Sequence, residues 1–125
     1  MQHIHLEQSS STQTYLKELL SSQEFKGQQV LVSSRRMSKG YGRSGSKWLH
    51  LPNALAMSFT LDPNPESLPL TSLEIAVLVA RYLEEEQGAG VRLKWPNDLL
   101  NNDGHKCGGI ICQGQNNGPL VVGLG

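Results

Sequence analysis

Fourteen consecutive residues, Arg35 to Trp48 (RRMSKGYGRSGSKW), limit what this chain can fold into more than any other stretch. Arg35, Arg36, Lys39, Arg43 and Lys47 share it with three glycines and three serines, and it holds no acidic residue. Gly40, Gly42 and Gly45 let the backbone turn tightly and bring its N–H groups close to an anion. The segment reads as a loop that grips phosphate or carboxylate. It is not a P-loop, because Gly45-Ser46-Lys47 is followed by Trp48 and not by the Ser or Thr that would hold magnesium.

The elements around this loop follow from period and punctuation. His3 to Glu7 alternates, with Ile4 and Leu6 on one face, which suits a short half-buried strand whose His3 and His5 face solvent. Ser9 to Gln13 is a polar cluster ahead of an amphipathic segment carrying Tyr15, Leu16, Leu19 and Leu20, so Ser11 or Thr12 caps a helix. That helix start is also a ready anion site. Gln29 to Ser33 predicts a buried strand running into the basic loop, and Leu55 to Leu61 predicts another after it.

Leu70 to Gln87 is the longest helix candidate. Leu73, Ala76, Val77, Ala80 and Leu83 recur at helical spacing, Glu84 to Glu86 oppose the dipole of the last turn, and Gly88 and Gly90 close it. Val91 to Leu93 starts a strand that ends before Pro96, projecting Lys94 past the sheet. Asn101 to Gly104 is a hairpin turn by residue type. Lys106 to Gln113 (KCGGIICQ) returns as a strand whose paired glycines mark a bulge or a close approach. A second turn at Gln115 to Pro119 leads to a last apolar strand, Leu120 to Leu124. The order predicts one α+β domain with a mixed, largely antiparallel sheet and helices packed on one face.

The totals narrow the function classes. A chain of 125 residues with 11 basic and 11 acidic side chains is not a globally basic nucleic-acid binder, although its positive charge gathers in one loop. Cys107 and Cys112 lie five apart in a strand and so on opposite faces, which argues against a disulfide and suits a reducing cytoplasm. No apolar run is long enough to span a bilayer.

Three segments together carry a family resemblance. Ser11-Thr12-Gln13, the loop ending GRSGSKW, and VRLKWPNDLL followed by KCGGIIC resemble the catalytic domain of biotin protein ligase, the biotin–[acetyl-CoA-carboxylase] ligase. The resemblance implies a two-step reaction. The carboxylate of biotin attacks the α-phosphate of ATP, with Mg2+, to give biotinyl-5′-AMP and pyrophosphate. A lysine of the biotin carboxyl carrier domain of acetyl-CoA carboxylase then takes the biotinyl group. Both steps need positioned donors more than a protein nucleophile.

The resemblance also implies site residues. Ser11, Thr12 and Gln13 line the biotin pocket, with Met37, Gly40, Tyr41, Gly42 and Arg43 in the loop that folds over biotin and adenylate. Arg43 helps retain the intermediate, Trp48 packs by adenine, and Lys94 contacts the biotin carboxyl and the phosphate. Lys94 and Arg43 are thus the expected catalytic pair. Asn97 belongs to the nucleotide site, Asp98 is the sole metal candidate, and Gly108 and Gly109 leave room for biotin's rings.

Two residues depart from the family pattern: Met37 stands where Gln is usual and Tyr41 where Arg is usual. The chain ends at Gly123-Leu124-Gly125, so it resembles a partial catalytic domain without an N-terminal winged helix, hence without DNA binding, and without a C-terminal β-domain. The expectations are weak biotin binding, poor adenylation, and an open edge at the last strand that favours a homodimer or strand exchange. A lipoate ligase or octanoyltransferase of the same superfamily is the nearest alternative. A non-catalytic module whose loop binds RNA or another anion is the second.

Overall fold

The computed structural model describes residues 1–114 and 118–125. Residues 115–117, in the second expected turn, lie outside the described residues.

The two β-prone runs that flank the first helix pair in parallel, and a parallel pair needs a long crossover. β1 (Gln2–Leu6) lies beside β2 (Val30–Ser34), with Ile4 opposite Val32. The crossover carries α1 (Thr12–Leu20). Its cap is Ser11, extended at φ −160°, whose Oγ accepts from the Thr14 N–H at 3.3 Å. β3 (Met57–Leu61) runs antiparallel to β2. α2 (Thr71–Gln87) then leads to β4 (Arg92–Lys94), β5 (Asp98–Leu100), β6 (Lys106–Gly114) and β7 (Leu120–Leu124). The sheet order is β1-β2-β3-β7-β6-β5-β4, antiparallel everywhere except at β1–β2. This is the α+β class with a mixed, largely antiparallel sheet.

The helices do not share a face. On β7, Val121 packs against Leu16 of α1, while its neighbour Val122 packs against Ile75 and Ala76 of α2. Successive strand residues point to opposite sides, so α1 and α2 lie on opposite faces of the sheet. Sequence pattern missed this because a strand covered on both sides has no alternation to read, and the LVV run of β7, buried at Leu120, Val121 and Val122, is such a strand.

Two further expectations change. β5 was not anticipated; it is a three-residue strand between the turn at Pro96 and the Asn101–Gly104 turn, which Asn101 Oδ1 closes by accepting from the Asp103 and His105 N–H groups. In α2 the buried positions are Thr71, Ile75 and Ala76, whereas Val77 and Leu78 are exposed. The sheet therefore meets a stripe rotated from the 73/76/77/80/83 set. The helix holds to Gln87 despite its terminal glutamates, because Gly88 adopts φ +63° and its N–H and that of Ala89 satisfy Glu84 O and Leu83 O.

β7 is no edge strand, being paired on both sides by β3 and β6. The open edge expected there does not exist, and the argument for strand exchange built on it falls. Both cysteines are free. Cys112 sits in the α2-side core, where burial pushes its thiol up to about 11. Among the described residues, no helix is long and apolar enough to cross a membrane.

Candidate functional site

On the face that carries α1, the sheet stops being flat and filled. Gly109, Ile111, Gly123 and Gly125 from β6 and the end of β7 form a floor, Ser58 of β3 borders it, and the first residues of α1 make one wall. The basic loop covers it. The result is one cavity of about 750 Å³.

The loop has a defined backbone. Its root continues the β1–β2 ladder: Ser9 N–H donates to Arg36 O (2.9 Å), Ser38 N–H to Ser9 O (3.1 Å) and Lys39 N–H to Ser10 O (2.7 Å). The loop is thereby tied to the residues that start α1. Beyond the root it doubles back, with Trp48 N–H on Gly40 O (3.0 Å) and Gly42 N–H on Ser46 O (2.7 Å). The tip turns through Ser44 (φ 58°) and Gly45 (φ 74°), a left-handed pair that explains a glycine at 45.

Trp48 then lies across the glycine floor. A methyl group at Gly109 would stand 3.3 Å from its ring, and one at Gly125 3.0 Å from its Nε1, so both glycines make room for the indole. Lys106 completes this corner. Its Nζ is 2.6 Å from Asp98 Oδ1 and 5.1 Å from the centre of the Trp48 ring, an ion pair combined with a cation–π contact. Asn97 anchors the turn beside it, donating from Nδ2 to Ile110 O (2.9 Å) and accepting the Ile110 N–H on its own carbonyl (2.9 Å).

The opposite end of the cavity is polar and uncharged. Ser11, Thr12 and Gln13 are buried, and Ser58 is fully so. Gln13 is held from both sides: Ser58 Oγ donates to its Oε1 (2.9 Å), and its Nε2 donates to Val121 O (2.9 Å) and to Gln113 Oε1 (3.2 Å). Thr12 Oγ1 lies 2.9 Å from Ser58 Oγ. Tyr41, from the loop, donates its hydroxyl to Gln113 Oε1 at 3.1 Å.

Of the residues expected from sequence, Ser11, Thr12 and Gln13 line this cavity, as do Met37, Tyr41, Gly42 and Arg43 of the loop, and Trp48, Asn97, Asp98 and Gly109. Gly40 and Gly108 are buried but outside the lining. A methyl at Gly40 would meet Met37 and Trp48, and one at Gly108 would meet Leu99 and Gly125 O. Lys94 is also outside: it is exposed on β4, the outermost strand, opposite Asp98 in the register. Two lysines line the cavity, Lys47 of the loop and Lys106 of β6, and only Lys106 is held there, by Asp98 and the Trp48 ring. Sequence reading also missed Ser58, Gln113 and Gly123. For Lys106 there was a signal, the glycine pair that follows it.

Among the described residues, no group of three or more His, Cys, Asp or Glu side chains is placed to hold a metal. Asp98, the one carboxylate on the lining, is already taken by Lys106. A resident Mg2+ site does not fit this arrangement.

Comparison with known proteins gives concordant results. The biotin/lipoate A/B protein ligase family model matches residues 6–124. A biotin–[acetyl-CoA-carboxylase] ligase of Paracoccus denitrificans is 31% identical over 102 residues, covering 75% of this chain and 42% of that protein. The bifunctional ligase/repressor BirA of Bacillus subtilis is 33% identical over 123 residues, covering 93% of this chain and 37% of its own length. The chain thus spans less than half of these curated relatives. Among solved structures, the biotin acetyl coenzyme A carboxylase synthetase of Helicobacter pylori, with biotinylated ATP bound, superposes with TM-score 0.86 at 31% identity, covering 98% of this chain and 59% of that one. The biotin protein ligase of Aquifex aeolicus in complex with biotin and ATP gives 0.79 at 33% identity, covering 98% and 50%.

Proposed function

Because the chain belongs to the biotin/lipoate A/B protein ligase family, we propose that it carries the acid-activating site of a biotin protein ligase. The observation that carries this reading is the polarity of the cavity: a neutral hydrogen-bonding end at Thr12, Gln13 and Ser58, and a cationic end at Lys106 beside the Trp48 face. Biotin has the matching polarity, a cyclic urea at one end and a carboxylate at the other.

In this reading the Thr12 end holds the urea, and Lys106 faces the carboxylate and the α-phosphate of ATP. A carboxylate oxygen forms a bond to the α-phosphorus as the bond to pyrophosphate breaks. Negative charge on the phosphoryl oxygens rises during that step, and a cation already fixed by Asp98 and Trp48 stabilises it without first having to be organised. Arg43, exposed at the loop tip, would close over the adenylate and slow its escape. In the second step an acceptor lysine amine attacks the mixed anhydride, AMP leaves, and the amine loses a proton. No protein nucleophile is required. The phosphate-contacting role that resemblance gave to Lys94 passes to Lys106. Magnesium would enter as the ATP complex, as part of the substrate, and no step is drawn through it.

Mass spectrometry of the chain incubated with Mg-ATP and equal amounts of biotin, lipoate and octanoate tests the reading, with calorimetric binding of each acid alongside. Biotin binding and biotinyl-5′-AMP are expected. Lipoyl- or octanoyl-AMP in its place would move the chain to the other branch of the family, and binding of none of the acids would overturn the proposal. The acceptor, a lysine of a biotin carboxyl carrier domain, is tested by adding that domain and looking for its mass increase.

A further inference from the structure

Gln113 lies outside the cavity lining yet bonds to two residues within it. Its Oε1 accepts from Tyr41 Oη of the loop (3.1 Å) and from Gln13 Nε2 of the wall (3.2 Å). One oxygen therefore ties the cover of the site to its polar end. Building on the proposed biotin reading, we infer that Gln113 is a positioning residue that makes closure of the basic loop depend on the head group of the bound acid.

The argument runs along one hydrogen-bonded chain. Gln13 cannot take another rotamer freely: Ser58 holds its Oε1, Val121 O and Gln113 hold its Nε2, and only the missing side chain at Gly123 leaves it room. Because the Ser58 proton goes to Gln13, Thr12 must donate to Ser58, which leaves the remaining Thr12 lone pairs as acceptors toward the cavity. A head group with N–H donors, such as a cyclic urea, satisfies them and fixes the chain as drawn. Gln13 then keeps one N–H on Gln113, Gln113 keeps its oxygen toward Tyr41, and the loop stays down. A dithiolane or alkyl head supplies no donor, so it fills the cavity without ordering the chain. Selectivity then arises from a closure that only one class of ligand stabilises.

The test combines calorimetric affinities for biotin, lipoate and octanoate with the rate of tryptic cleavage after Arg43 as a readout of the loop. Gln113→Leu should lower biotin affinity about five- to tenfold, the worth of a partly buried hydrogen bond with an orphaned donor, and leave octanoate within about twofold. Gln113→Glu, which keeps an acceptor oxygen in place, should restore most of the loss. Tyr41→Phe should speed cleavage after Arg43, and combined with Gln113→Leu it should cost no more than Gln113→Leu alone, because both cut the same link. Equal losses for all three acids, or effects of Tyr41→Phe and Gln113→Leu that multiply, would overturn the inference. If Gln113→Leu does not fold, Tyr41→Phe carries the test by itself, and an unchanged cleavage rate there overturns it. If the unmodified chain binds no biotin, the ligase reading fails separately. The link is then judged on cleavage without ligand, which must rise in Tyr41→Phe.

Discussion

Replacing Lys106 and Lys94 by alanine separates the two lysines, because the structure assigns them different costs. The Lys106–Asp98 pair is short at 2.6 Å, but the lysine side chain is 46% exposed and the aspartate 21%. Solvent screening at that exposure limits the pair to about 0–1 kcal/mol of folding stability. For 125 residues, about 1 kcal/mol corresponds to roughly 4 °C in Tm. The chemical step is another matter: losing a fixed cation where phosphoryl charge develops costs about 10²- to 10³-fold in rate. Lys106→Ala should therefore melt within about 4 °C of the parent while forming biotinyl-AMP at least about a hundredfold more slowly. Lys94→Ala, exposed on the outermost strand, should change stability by no more than about 0.5 kcal/mol and leave adenylate formation within about twofold. Single-turnover adenylate formation, read by mass spectrometry beside thermal melts of the same samples, decides the matter. Loss of the adenylate in Lys94→Ala with retention in Lys106→Ala would refute the reasoning. So would a loss in Lys106→Ala that merely follows its unfolded fraction.

Two further outcomes follow from the floor and the core. Gly123→Ala would put a methyl 2.7 Å from Gln13 Oε1 and 3.1 Å from Ile111 Cγ1, so Gln13 must give up its bonds to Ser58 and Val121. Urea denaturation should show a loss of about 1–3 kcal/mol, and calorimetry a weaker grip on biotin. The Cys112 thiol, raised by burial from 9.0 to about 11, stays protonated in the folded chain while the unfolded chain ionises. Stability should therefore decline from about pH 9 to about pH 11 and level off above, with a slope that disappears in Cys112→Ala when denaturation curves are compared across that range.

Most of the element order was legible because it rests on local physics. A hydroxyl before an amphipathic run gave α1 its cap at Ser11, and a glycine after one gave α2 its stop at Gly88. The face each helix covers is not local. Val121 and Val122 are equally apolar, and nothing in the pair says which meets Leu16 and which meets Ile75. The position of β7 in the middle of the sheet is likewise a long-range pairing, Leu61 with Leu120 and Met57 with Leu124, that no neighbouring residue announces.

The presence of Lys106 on the lining has a specific cause in strand parity. On β6, Gly109 and Ile111 lie on the cavity face, so unbroken alternation would send residue 106 to the α2 side, yet both Lys106 and Cys107 line the cavity. The register shows otherwise: Leu99 pairs with Gly108 but Leu100 pairs with Lys106, which leaves Cys107 as the extra residue of a bulge. The bulge reverses parity for everything before it, and Lys106 comes round to Asp98, whose partner Gly109 is on the cavity face. Sequence reading did expect a bulge or a close approach at the glycine pair, and the structure has both, the bulge at Cys107 and the indole of Trp48 against Gly109. What it lacked was the consequence of one inserted residue for the side chain ahead of it. A lysine on the far side of a glycine pair is therefore to be counted with the opposite face once a bulge intervenes, and in this chain that shift brings Lys106 onto the cavity lining beside Asp98.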